Sequence, residues 1–93
     1  MPPQMALIAD VSMRMVRESL EAFVHNDVRE AARIIAEDDE VDRLNAEIID
    51  EVSRLMRRDP ETIERAMHLF SVSRHLERIA DHATNIAEDV IFM

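Results

Sequence analysis

Leu76-Glu77-Arg78-Ile79-Ala80-Asp81-His82-Ala83-Thr84-Asn85-Ile86-Ala87-Glu88-Asp89 reads as a helix. It sets two carboxylates, Glu77 and Asp81, one turn apart on a single face. An upstream stretch, Glu37-Asp38-Asp39-Glu40-Val41-Asp42, repeats the device with Asp38 and Asp42. Two such pairs on neighbouring helices would offer hard cations an all-oxygen site.

Composition narrows the fold. The chain has 93 residues, enough for one modest domain (1–93) and too few for two. It contains no Gly, Trp, Tyr or Cys and only three Pro. Without Gly the positive-φ turns of hairpins are hard to make, so an all-α fold is expected. The absence of Cys removes disulfides and Cys-based zinc sites. The longest apolar run, Met5 to Ala9, cannot span a bilayer, and no basic segment precedes it as in a signal peptide. A cytoplasmic protein with no direct membrane insertion is expected. Net charge is −9, and all eleven basic residues are Arg. Phosphate-backbone binders cluster Lys and Arg, so no nucleic-acid partner is expected. No Gly-rich loop or Arg cluster is visible to cradle free phosphate.

Helical periodicity divides the chain into three segments. The first is expected over about 4–24, with a seam of Ala6, Ala9, Met13, Val16, Leu20 and Phe23. His25-Asn26 ends it, and Asp27 reads as an N-cap with Glu30 completing a capping box. The second is expected over 27–57, through Ala31, Ile34, Val41, Ile48, Val52 and Leu55. Asp59-Pro60 starts the third, over 60–92, through Ile63, Phe70, Leu76, Ile79, Ala83, Ile86 and Val90. Short connections force consecutive helices antiparallel. The expected architecture is an up-down-up three-helix bundle.

On a helical wheel Asp38 falls inside the apolar arc, among Ala31, Ile34, Ile35 and Val41, with Asp42 at its edge and Asn45 one turn on. Glu77 borders the corresponding arc beside Ser73, Ala80 and Thr84. A carboxylate drawn to an apolar seam is costly unless paired. Counted from Asp59, Asp42 lies 17 residues before and Glu77 18 after, while Asp38 lies 21 before and Asp81 22 after. Equal rise in an antiparallel hairpin therefore brings all four carboxylates to one level. They would repel one another unless protonated or bridged by cations. An all-oxygen donor set suits Mg, Mn or Fe over Zn or Cu. The alternative is a solvated acidic face paired with Arg33, Arg43, Arg74 and Arg78.

His68, His75 and His82 recur every seven residues on the third segment, ~10 Å apart along the axis, too far for neighbours to share an ion. Solvated positions are the expectation; a histidine phosphotransfer module using His75 or His82 is the competing function, and a plain helical dimerisation domain is a third. Met13, Met15, Met56 and Met67 are expected in the core, Met13 as part of the first seam. No nucleophile–base–orienter set is visible, so no enzyme activity is expected.

Asp38 to Asp42 together with Leu76 to Asp89 resembles the PhoU proteins, bacterial regulators of phosphate uptake. The resemblance extends over nearly the whole chain. It implies one three-helix unit of a family that usually carries two in tandem, most like the second. It also implies that Asp38, Asp42, Glu77 and Asp81 are ligands of a surface metal cluster. The expected role is negative regulation of phosphate-starvation signalling, through contacts with the phosphate-transporter ATPase and the phosphate sensor histidine kinase at the inner membrane. Ala80 stands where many relatives have Gly. A lone unit lacks a packing partner, and the wide apolar arc from Ile79 and Ile86 through Leu76 and Ala83 to Ala80 and Ile91 predicts a homo-oligomer.

Overall fold

Pro2 in extended conformation and Pro3 at the first helical position start α1 without a side-chain cap, since a helix's first N–H groups lack carbonyl partners in any case. The computed structural model describes residues 2–93. It consists of α1 (Pro3–His25), α2 (Val28–Arg58), a one-turn 3-10 segment (Pro60–Thr62) and α3 (Ile63–Phe92). The three long helices pack against one another into a rod about 50 Å long.

The two connections work as their residues dictate. Asn26 takes the left-handed conformation, φ 52°, which Asn tolerates better than most residues. The Asp27 N–H then donates back to the Ala22 carbonyl at 2.9 Å, closing the C-terminus of α1. Asp27 caps α2 by accepting from the Glu30 N–H at 3.1 Å. The reciprocal half of the expected capping box is not made. The Asp27 N–H is already committed to Ala22, and the Glu30 carboxylate pairs with Arg33, which holds it below the usual carboxylate range. Asp59 caps the next start, accepting from the Glu61 N–H at 3.1 Å ahead of α3.

The core is a single seam. From α2 come Ala31, Ile34, Val41, Ile48 and Val52, as the periodicity predicts, together with Leu44, while Leu55 at the end of the expected seam is only half-buried. From α3 the deepest residues are small: Ala66, Ser73, Ala80, Ala83 and Ala87, with Val90. The Ala80 methyl is fully buried. Leu76, Ile79, Ile86 and Ile91 are only half-buried, and Ile63 is exposed, so the α3 seam lies slightly to one side of the expected one.

The expected seam of α1 is on the wrong side. The residues that enter the core are Met5, Ile8, Val11, Ser12, Met15, Ser19 and Ala22. Met13, Leu20 and Phe23 are half exposed, at 56%, 51% and 50%. Both stripes repeat at alternating spacings of three and four, one residue out of step. The inward stripe carries two serines, which make it look polar in a sequence. Ser19 meets its hydrogen-bonding need locally, donating to the Val16 carbonyl at 2.8 Å, while Ser12 Oγ is buried without a partner.

An ion-pair network ties α1 to α2 on the opposite side from that exposed stripe. Arg33 pairs with Glu18, Glu30 and Glu37, and Arg14 reaches Glu37 at 3.3 Å and Glu18 at 3.7 Å. No described helix is long and apolar enough to cross a membrane.

Candidate metal centre in the α2–α3 groove

The register of α2 against α3 is fixed by a chain of polar side chains. Ser73 Oγ donates to Asn45 Oδ1, and Asn45 Nδ2 donates to Glu77 Oε2 at 3.1 Å. Asn45 therefore sits level with the turn between Ser73 and Glu77. One turn farther along each helix, Asp42 and Asp81 continue the same strip, and Asp38 follows on α2. The structure thus brings the two acidic pairs to one groove at matching heights. Thr84, on the next turn, satisfies its own hydroxyl by donating to the Ala80 carbonyl at 3.0 Å.

Burial grades across the site. Asp38 and Glu77 are half-buried, while Asp42 and Asp81 are exposed at the groove's rim. Asp38 Oδ1 is a buried acceptor with no hydrogen-bond partner. Burial pushes the Asp38 carboxyl above its ordinary range, and the charges of Asp42, Asp81, Asp39 and Glu77 push it the same way. Charge from both helices therefore converges on Asp38.

The arginines that could neutralise this groove do not. Arg33 is engaged with Glu18, Glu30 and Glu37, and Arg43 with Glu40 and Glu47. Among the described residues, Arg74 and Arg78 form no salt bridge, and none of Asp38, Asp42, Glu77 or Asp81 has a cationic partner within salt-bridge distance. A solvated acidic face paired with arginine is not what the chain builds.

The donor set suits a hard cation: carboxylates from two helices, one with an orphaned oxygen already out of water. It is not a closed cage. Among the described residues, no three His, Asp or Glu side chains stand close enough to hold one ion. Asp42 and Asp81 at the rim are exposed and form no salt bridge among the described residues.

Asn45 and Ser73 are the residues whose connecting role sequence reasoning missed. Their signal is positional: Asn45 follows Asp42, and Ser73 precedes Glu77, on the same strips. What spacing could not show is that they bond to each other. A shallow pocket beside them is lined by Asn45, Ile49, Phe70, Arg74 and Glu77. The three α3 histidines, His68, His75 and His82, are exposed and stand apart from the groove.

The fold is a small all-α unit, a three-helix bundle whose second and third helices share an acidic groove without arginine partners among the described residues. Residues 5–90 match the PhoU domain, and this chain belongs to the PhoU family. It is 40% identical over 77 residues to a Caulobacter vibrioides protein described as a phosphate-specific transport system accessory protein PhoU homolog, covering 83% of this chain and 34% of that one. A Pseudomonas aeruginosa protein of the same description is 40% identical over 80 residues, covering 86% and 33%. One from Zymomonas mobilis is 36% identical over 90 residues, covering 97% and 38%. The chain spans about a third of the length of these relatives.

Proposed function

We propose that this chain is a non-enzymatic, metal-binding regulatory unit of phosphate transport. Asp38, Asp42, Glu77 and Asp81 hold divalent or trivalent hard cations, Mg, Mn or Fe, across the α2–α3 groove. The observation that carries this reading is the buried, unpartnered oxygen of Asp38, set in a groove whose four carboxylates lack any arginine partner among the described residues. Uncompensated carboxylates at one level disfavour the folded chain, and a bound cation removes that penalty. When bound, the cation supplies positive charge at the groove. The chain's own part is to orient Glu77 through Asn45 and Ser73 and to keep Asp38 partly out of water.

The relatives' description as accessory proteins of a phosphate-specific transport system supports a regulatory role in phosphate uptake. In this reading the metal-loaded unit is a negative regulator of phosphate-starvation signalling. It docks on the transporter ATPase and the sensor kinase from the cytoplasmic side. Elemental analysis of chain purified without chelator should find Mg, Mn or Fe, and Asp38→Asn should carry markedly less. Calorimetry with the transporter's nucleotide-binding subunit should then give binding that chelator weakens. Metal-free wild-type protein, purified and titrated in excess Mn and still binding none, would remove the metal reading; no binding to either partner would remove the docking reading.

A further inference from the structure

Where α2 turns into α3, a cavity of about 270 Å³ opens beside the core. Its floor is apolar: Val52 and Ala66 are buried, and Leu55 and Leu69 half-buried. Pro2 lines it from the start of α1. Two arginines line it as well, Arg58 at the end of α2 and Arg65 in the first turn of α3. They are seven residues apart in sequence, and the turn at Asp59-Pro60 brings both to one opening.

Both guanidinium groups are exposed, and neither forms a salt bridge among the described residues. Glu51, the one acid on the lining, pairs with neither. The Thr62 hydroxyl is committed to the Asp59 and Leu55 carbonyls, at 2.6 and 3.4 Å. The side-chain donors that the lining offers a ligand are therefore those of Arg58 and Arg65.

Such a cavity suits a ligand that is apolar and anionic at once. The floor gains from an apolar group that displaces water, and each guanidinium presents a planar fork that matches a carboxylate. A free inorganic anion would leave the floor wet. The volume lies below the roughly 300–1,000 Å³ of small-molecule sites, and takes one large side chain more readily than a whole cofactor. An anionic bilayer would repel a chain of net charge −9, which two arginines do not offset. A peptide carrying an apolar side chain between carboxylates meets every one of these conditions.

We propose that this cavity docks an acidic peptide segment of a partner protein, seating one large apolar side chain on Val52, Leu55, Ala66 and Leu69 while flanking carboxylates pair with Arg58 and Arg65. The site includes none of Asp38, Asp42, Glu77 or Asp81, so it goes beyond the metal reading and stands or falls apart from it.

The test is titration of isotope-labelled chain, in excess chelator, with a synthetic peptide of one leucine between two pairs of glutamates. Backbone amide shifts should concentrate on residues 51–69, and the affinity should fall as salt is raised. Replacing the peptide's leucine by serine should cost about tenfold or more. Arg58→Gln with Arg65→Gln should also cost about tenfold or more, with unchanged helical circular dichroism because both side chains are exposed. Glu51→Gln should tighten binding by removing a like charge. Arg29→Gln, exposed and without a salt bridge near the start of α2, should bind as wild type does. Absence of shifts up to millimolar peptide overturns the proposal, as do shifts confined to other residues. A loss in Arg29→Gln equal to that of the double variant reduces the effect to general charge and overturns it too. Phosphatidylglycerol vesicles that bind more tightly than the peptide, and lose that binding in the double variant, would assign the arginines to a membrane instead.

Discussion

Asn45 on α2 donates to Glu77 on α3 at 3.1 Å while accepting from Ser73, so one amide spans the groove and reads both helices at once. This is the contact that turns two acidic strips into one site. Asn45→Ala removes a donor from a carboxylate and an acceptor from a buried hydroxyl, and should cost about 1–3 kcal/mol in chemical denaturation. Ser73→Ala alone should cost less, because it leaves the Asn45–Glu77 bond in place. Equal losses from the two variants would contradict the shared-amide account.

The two faces of α1 should separate cleanly under mutation. Met15→Ala opens a cavity in the core, since Met15 is fully buried, and should cost ~2–5 kcal/mol. Met13→Ala, two residues away on the exposed stripe, should change the stability of the monomer by no more than about 0.5 kcal/mol. Urea melts of dilute protein measure both. A Met13 penalty as large as that of Met15 would place the wrong stripe inside.

The α1–α2 connection offers a backbone test. Asn26→Ala puts a β-carbon without the Asn side chain's local hydrogen bonding into the left-handed conformation, at about 1 kcal/mol, whereas Asn26→Gly should be neutral or stabilising. Thermal denaturation of the pair gives the sign directly.

Arg33 concentrates three carboxylates on an exposed guanidinium, so its network is a surface one despite its size. Arg33→Met should destabilise by about 1 kcal/mol or less at moderate salt, with the difference shrinking as salt is raised. A loss that salt does not diminish would show that the network is shielded from solvent.

The residues that made the bundle legible in the sequence were those with one interpretation. Asp27 and Asp59-Pro60 could only begin helices, and α2 had a single apolar stripe. The heights of the acidic pairs followed from counting residues across the Asp59 turn, because two straight helices rise equally. α1 was misread because it has two stripes of the same period, and the larger side chains lie on the outer one. Burial there depends on how α1 packs against its two neighbours, and the buried positions of α3 are mostly Ala and Ser. Neither that packing nor the Ser73–Asn45–Glu77 chain is written in the periodicity of either helix alone.

The central claim is that the groove of Asp38, Asp42, Glu77 and Asp81 binds hard cations, and thermal melting with and without Mn or Mg tests it most directly. A cation that binds only the folded chain stabilises it by RT ln(1 + [L]/Kd), about 2.7 kcal/mol at a hundredfold excess over Kd. Wild type should show that metal-dependent rise. Asp38→Asn and Glu77→Gln should lose it, and Asp38→Asn should melt higher than metal-free wild type because its buried oxygen no longer carries charge. Asp39→Asn, exposed and beside the groove, should respond to metal as wild type does. A wild-type melt that metal does not move, or an Asp39→Asn variant that loses the response as fully as Asp38→Asn, would contradict the account.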